Sequence, residues 1–311
     1  MYDVIIIGAG AAGLSAAIYT ARRKLNTLVI SIDKGGQTLL TSNIQNYPGF
    51  YNEHGSNLMK IFEKQANELG VNFIMGRVNK VDKINEFFKV YLSNNEFYES
   101  KSVILAYGKV PAQLNVSGED KFFGRGIHLY AIYDAYLFKD KTVAVIGGGN
   151  SALDSTLILS NYAKKVYLIH RRNEFRGEQI LQDKIKSLKN VEIILEHTPF
   201  EFKGEDKLNS LVIKNINNNE LKEIKLDGCF VEIGYINKVD FVKDFVEVND
   251  KNEIIIDMYC NTKTKGLFAA GDVTIIPYKQ TISSAGEGCK AALTCYNYLT
   301  GKTGLVIDWT H

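Results

Sequence analysis

Apolar positions along the first third of the chain change their period at glycines. Tyr2 to Ile7 is a short β-branched run that stops at Gly8, and Leu14 to Arg23 then repeats with helical spacing. The chain therefore opens strand, tight turn, helix. Thr27 to Ile32 reads as the next strand. From Val71 onward Asn72 to Met75, Phe87 to Leu92 and Glu96 to Tyr98 read as short strands between polar turns, and the apolar run Ser102 to Ala106 closes a small meander. Lys141 to Ile146 begins the same grammar again: strand, glycines, a helix over Ser151 to Asn161, a strand over Lys165 to Ile169. Val191 to Leu195, Ser210 to Lys214, Leu221 to Lys225 and Cys229 to Ile233 then restate the meander. An offset of roughly 140 positions between the two glycine clusters points to a duplicated dinucleotide-binding unit.

No third unit begins after Tyr235. Asn252 to Asp257 and Gly266 to Ala270 read as strands and Ala285 to Leu299 as a helix, too little to stand alone, so this piece completes the first unit. The expected fold is α/β, two Rossmann-like dinucleotide-binding domains with the second inserted in the first. The boundaries are 1–112 with 239–311, and 113–238, with a two-strand hinge near Val110–Val116 and Tyr235–Asp240.

Composition excludes more than it adds. The 311 residues are 45% hydrophobic and 23% charged with only 4 Pro, which suits globular domains and not disorder. A net charge of +2 gives no field for nucleic acid or an anionic membrane. Val4 to Tyr19 is shorter than the ~18 to 20 residues of a membrane span and is interrupted by glycines. Met1-Tyr2-Asp3 supplies no basic leader, so a cytoplasmic location is expected. Cys229, Cys260, Cys289 and Cys295 are scattered, without a CxxC, as in a reducing compartment. No histidine stands at metal-ligand spacing, so no metal is expected.

Gly8-Ala-Gly10-Ala-Ala-Gly13 lies between strand and helix, where glycine permits the turn and the approach of a pyrophosphate to the helix N-terminus. Asp33, some 20 positions on, is the candidate for a ribose hydroxyl. Gly147-Gly-Gly149-Asn150-Ser151-Ala152 is the second such turn. After the strand that follows, His170-Arg171-Arg172 and Arg176 stand where an acidic ribose reader would otherwise be. Guanidinium groups match a 2′-phosphate, which favours NADPH over NADH.

Asp33-Lys-Gly-Gly-Gln37, Asn46-Tyr-Pro-Gly49, Gly147-Gly-Gly-Asn150, His170-Arg-Arg172 with Arg176, Gly266-Leu-Phe-Ala-Ala-Gly-Asp272 and Lys279-Gln-Thr281 occur in an order that resembles the low-molecular-weight thioredoxin reductase family over nearly the whole chain. The resemblance implies FAD held at Gly8, Gly10, Gly13, Gly35, Gly36, Gln37, Asn46, Asp272, Gln280 and Thr281. It also implies NADPH at Gly147, Gly149, Asn150, Ser151, Arg171, Arg172 and Arg176, and a homodimer. Smaller departures are Tyr107 for a threonine, Asn237 for a proline and Lys279 for an arginine.

One departure bears on function. The family carries its redox CxxC, followed by Asp, where this chain has Tyr130-Ala131-Ile132-Tyr133-Asp134. A phenol forms neither a thiolate nor a mixed disulfide, so thioredoxin reduction by that route is chemically closed. Tyr130 and Tyr133 are candidates either to stack on the flavin or simply to fill core. Asp134 is either a relic or serves another proton transfer.

The chain resembles more loosely the ferredoxin-NADP reductases on this scaffold, which add a C-terminal segment over the flavin. Gly304 to His311, with Trp309, is either a short version or a frayed tail. The expected activity is FAD-dependent NADPH oxidation with electrons passed to ferredoxin or flavodoxin, for which Lys139 and Lys141 are suggestive, or to a small acceptor such as oxygen, a quinone or free flavin. Two other readings stand beside it. One is a non-catalytic sensor or regulatory flavoprotein. The other is a disulfide reductase acting directly at the flavin, in the manner of bacillithiol disulfide reductases, although their turn cysteine is here Ala12.

Overall fold

The computed structural model describes residues 1–41 and 44–302. Two compact units divide the chain, one of residues 1–110 with 236–311 and the other of residues 111–235.

In the first unit β1 (Tyr2–Ile7) runs through a glycine turn into α1 (Ala11–Arg22), followed by β2 (Thr27–Ser31), α2 (Gly55–Glu68) and β3 (Asn72–Met75). Next come β4 (Val78–Ile84), β5 (Phe87–Leu92) and β6 (Phe97–Leu105). The sheet order is β3-β2-β1-β6-β5-β4, parallel through β3, β2, β1 and β6 and antiparallel from β6 to β4. Strands buried on both faces read as continuous apolar runs, and Val4, Ile5, Ile6, Val103, Ile104 and Leu105 are fully buried.

The expected meander needs correction here. Asn72–Met75 is not part of it but a parallel edge strand on β2. Its place is taken by β4, and the two segments Glu96–Tyr98 and Ser102–Ala106 are one strand, β6.

The chain leaves this unit at β7 (Val110–Pro111). The second unit contains α3 (Glu119–Phe122), β8 (Ile127–His128), α4 (Ala131–Asp134), β9 (Thr142–Gly147), α5 (Asn150–Ser160), β10 (Lys165–Ile169) and α6 (Gln179–Lys186). It continues through β11 (Val191–Ile194), β12 (His197–Gly204), β13 (Leu208–Asn215), β14 (Leu221–Lys225) and β15 (Gly228–Glu232). One parallel sheet has the order β11-β10-β9-β15-β8, and β12-β13-β14 is a separate antiparallel sheet. Val191–Leu195 therefore belongs to the parallel sheet and not to a meander. The core is split between the two faces of the parallel sheet: Leu153, Val166 and Phe230 lie on the α5 side, Ile127, Phe202 and Leu211 on the other.

After β16 (Tyr235–Ile236), which pairs with β7, the chain re-enters the first unit. Here β17 (Leu267–Ala269) adds to β6 in parallel, and α7 (Thr281–Thr300) packs against α1. Asn252–Asp257 forms only two isolated bridges, from Ile254 to Val248 and to Thr274, and is not a strand. The final helix begins four residues earlier than its apolar pattern, because Thr281, Ser283 and Ser284 leave Ile282 as the lone strongly apolar position of that turn. No helix among the described residues is long and apolar enough to cross a membrane.

Candidate functional site

In the first unit the sequence-nominated residues come together at the carboxyl ends of β1, β2 and β17. Gly8 has φ +105°, and a side chain there would run into the Ala106 carbonyl. A Cβ on Gly13 would strike the Gly8 carbonyl oxygen, so these two glycines let α1 start hard against β1. Gly10 differs: the nearest atom to a Cβ there is the Gly36 Cα at 4.0 Å. As N-cap of α1 it brings no side-chain cap, and the first turn holds no acidic residue. The unfilled space and the uncapped N–H groups suit an anion.

The loop after β2 closes over this turn. Gly35 N–H donates to the Ala9 carbonyl (2.8 Å), and the Asp33 carboxylate accepts from Gly36 N–H (2.8 Å). One Asp33 oxygen is thus committed to shaping its own loop. Gln37 donates to the Lys109 carbonyl (3.1 Å), and Asn46 donates to Gln280 Oε1 (3.1 Å). Gln280 is the N-cap of α7 and lends no side-chain cap, while Thr281 shares a hydroxyl bond with Thr38 (3.2 Å). The Gly271–Asp272 turn presses on α1, since a Cβ on Gly271 would lie 2.9 Å from that of Ala12. Asp272 accepts from Ser284 Oγ (3.1 Å), and buried Glu287 accepts from Gly271 N–H (2.9 Å), which holds the turn in place. All of the residues the resemblance assigned to FAD thus meet in one unit. Open backbone at Gly10, an uncapped α7 start and a carboxylate at Asp272 fit a ligand with pyrophosphate and hydroxyl groups.

Beside them stands a group the sequence reading missed. Glu253 binds Lys109 (3.0 Å) and Lys279 (3.5 Å), and Lys279 also donates to the Thr274 carbonyl. Burial works against the carboxylate, but hydrogen bonds from Asn249 and Lys109 and the lysine charges bring its pKa down to about 2. The Tyr107 hydroxyl is buried without a hydrogen-bond partner among the described residues, and burial pushes its pKa up.

In the second unit Gly147 has φ +155°, and a Cβ on it would lie against the Ala152 side chain and the Glu232 carbonyl. Gly149, the N-cap of α5, would meet nothing within 4 Å, and the helix lacks a side-chain cap. The arginine loop is docked on this turn by Arg176 N–H and Gly177 N–H donating to the Gly148 carbonyl (2.8 and 3.1 Å). Asn150 exchanges two bonds with Glu178, so its side chain anchors that loop. Arg171, Arg172 and Arg176 are exposed and have no salt-bridge partner among the described residues; Ser151 is exposed at the helix start. His170 lies under Gly148 with Nε2 buried and without a partner among the described residues, and burial, then Arg172 and Arg176, pull its pKa down. A neutral imidazole leaves the arginines as the positive charges of the loop.

Tyr130 is the N-cap of the four-residue α4, which carries Tyr133 and Asp134. Asp134 Oδ2 lies 2.7 Å from His128 Nδ1, and the His128 ring stacks on Phe230 (5.4 Å). Cys229, Cys260 and Cys295 are buried, and burial raises all three thiols, Cys260 and Cys295 to about 12. No group of His, Cys, Asp and Glu that could hold a metal occurs among the described residues. Trp309 and the rest of 304–311 lie outside them.

Residues 2–292 match the pyridine nucleotide-disulphide oxidoreductase family. The chain is 37% identical over 302 residues to thioredoxin reductase of Rickettsia prowazekii (strain Madrid E), covering 95% of this chain and 97% of that protein. Among solved structures, Lactococcus lactis thioredoxin reductase (FR conformation) superposes with a TM-score of 0.84 at 32% identity, covering 97% of this chain and 100% of that one. T. acidophilum thioredoxin reductase gives 0.80 at 34% identity, covering 95% and 98%.

Proposed function

The chain belongs to the pyridine nucleotide-disulphide oxidoreductase family, and on that premise we propose that it is an FAD-dependent NADPH oxidoreductase that delivers electrons to an acceptor other than thioredoxin. The observation that carries the reading is the missing dithiol. Tyr130-Ala-Ile-Tyr133 stands where the family has its CxxC, and three of the four cysteines are buried with thiolates strongly disfavoured. When bound, NADPH would supply a hydride and FAD would accept it and release electrons singly or in pairs.

The chain's own residues do the rest. The α1 turn at Gly8, Gly10 and Gly13, the loop of Asp33, Gly35, Gly36 and Gln37, and Asn46, Asp272, Gln280 and Thr281 would hold FAD in the first unit. Gly147, Gly149 and the α5 N-terminus, with Asn150 and Ser151, would seat the pyrophosphate of NADPH, and Arg171, Arg172 and Arg176 its 2′-phosphate. The acceptor is then a one-electron protein such as ferredoxin or flavodoxin, or a small molecule such as oxygen or a quinone. A homodimer, as the family resemblance implies, completes the reading.

Steady-state NADPH oxidation by the FAD-loaded protein tests it, with each acceptor offered in turn. Turnover with a one-electron carrier or quinone, and none with thioredoxin, is expected. Thioredoxin reduction at a comparable rate would overturn the proposal, and no turnover with any acceptor would favour a sensing role.

A further inference from the structure

Four strands of the parallel sheet in the second unit end, side by side, in polar groups. β10 ends at His170–Arg172, β9 at the Gly147–Gly149 turn, β15 at Glu232 and β8 at His128. A dinucleotide lies across the carboxyl ends of such strands with its pyrophosphate over the glycine turn. The arginines put the 2′-phosphate end on the β10 side. The nicotinamide half must therefore lie across the turn, over β15.

Glu232 is the carboxyl group at that position. It pairs in register with Gly147. Its Oε1 accepts from Ser155 Oγ on α5 (2.7 Å), whereas Oε2 has no hydrogen-bond partner among the described residues, and the side chain is only partly buried. Among the described residues the titratable groups that act on it are Asp154 on α5 and Tyr235 just beyond β15, with Tyr130 next to Tyr235, and none of these is a cation. A partly buried carboxyl with one oxygen fixed by Ser155 and the other left open can receive a hydrogen-bond donor or a positive charge.

We propose that Glu232 is a specificity-determining residue for the nicotinamide half of the dinucleotide, its unpartnered oxygen setting the preference between the cationic oxidised ring and the neutral reduced ring. The inference rests on the reading of the second unit as the NADPH-binding unit. Burial raises the Glu232 carboxyl, the Ser155 hydroxyl opposes that, and Asp154 adds to it, bringing the pKa to about 7. Below that pH the group is a neutral acid and treats both rings alike. Above it the carboxylate favours the oxidised ring. The 2′-phosphate, with its second pKa near ~6, titrates in both ligands and cancels from their ratio.

The test is calorimetric binding to the FAD-loaded protein of NADP+ and of tetrahydro-NADPH, an uncharged-ring analogue that cannot reduce the flavin, from about pH 6 to about pH 8.5. In the wild type the preference for NADP+ over the analogue is expected to grow about tenfold with rising pH, the binding counterpart of one unit of pKa. In Glu232→Gln the ratio should stay flat. Ser155→Ala removes a hydrogen bond that favours the carboxylate, so it should keep the rise but move its midpoint to higher pH. A flat ratio in the wild type, or the same rise in Glu232→Gln, overturns the inference while leaving NADPH binding intact. Failure of the wild type to bind either nucleotide overturns the reading of the second unit as well.

Discussion

Removing the guanidinium of Arg172 should weaken NADPH and leave NADH untouched. Arg171, Arg172 and Arg176 are exposed, lack carboxylate partners among the described residues, and sit on a loop pinned to the Gly148 carbonyl. No ion pair has to be broken before a phosphate arrives. Hydrogen bonds to charged groups contribute ~1.5–3 kcal/mol when shielded and exposed ion pairs only ~0.2–1 kcal/mol. A solvent-facing contact to a phosphate near −2 falls between, about 1 kcal/mol, or roughly fivefold in affinity for each arginine. If the three act independently, Arg171→Ala, Arg172→Ala and Arg176→Ala together would cost about a hundredfold. That loss should erase the preference for NADPH. The assay is the dependence of the anaerobic flavin-reduction rate on NADPH and on NADH concentration, in wild type and variants, at two ionic strengths. Screening should narrow the wild-type preference at high salt. Equal weakening of both nucleotides, or a wild type that does not distinguish them, would refute the assignment of the arginines.

Other expectations follow from the same geometry. Gly13→Ala places a methyl group into the Gly8 carbonyl; it should lower the melting temperature and the FAD content of purified protein together, because α1 must move off β1. Glu253 has a folded pKa of about 2, below its ordinary 4.5, so its contribution to stability is present above that ordinary value and is lost as the pH falls through about 2. Thermal unfolding followed from about pH 6 downward should show an acid-side loss that is smaller in Glu253→Gln. Disulfide-exchange labelling of the native protein should leave Cys229, Cys260 and Cys295 unmodified until denaturant is added.

Some of this architecture was legible because local pattern and tertiary role agree. Tyr2–Ile7 and Lys165–Ile169 are apolar on both faces and are followed or bounded by polar or glycine punctuation, and both strands have the expected ends. β4 went unseen because Val78-Asn-Lys-Val-Asp-Lys-Ile84 is a half-exposed strand whose charged residues hide its alternation. β12 carries Pro199 and a register shift next to it, which breaks the period along the strand.

The site divides in the same way. Glycine turns and arginines announce themselves because backbone geometry and phosphate charge demand those residue types at short spacing. Lys109, Glu253 and Lys279 are brought together only by the fold, and nothing at a distance in sequence marks them as partners. Glu232 ends a strand as any polar residue might, and only the topology places it beside the glycine turn. His128 and Asp134 are six residues apart, a spacing with no meaning until β8 and α4 set them 2.7 Å from each other.

The central claim is that electrons reach the flavin and find no dithiol beyond it, and an anaerobic titration with NADPH counts them. A flavin takes up two electrons and a disulfide two more. The account expects complete bleaching of the flavin band at about one equivalent of NADPH per FAD, with the number of titratable thiols unchanged before and after. Uptake of about two equivalents, accompanied by the appearance of two new thiols, would contradict it.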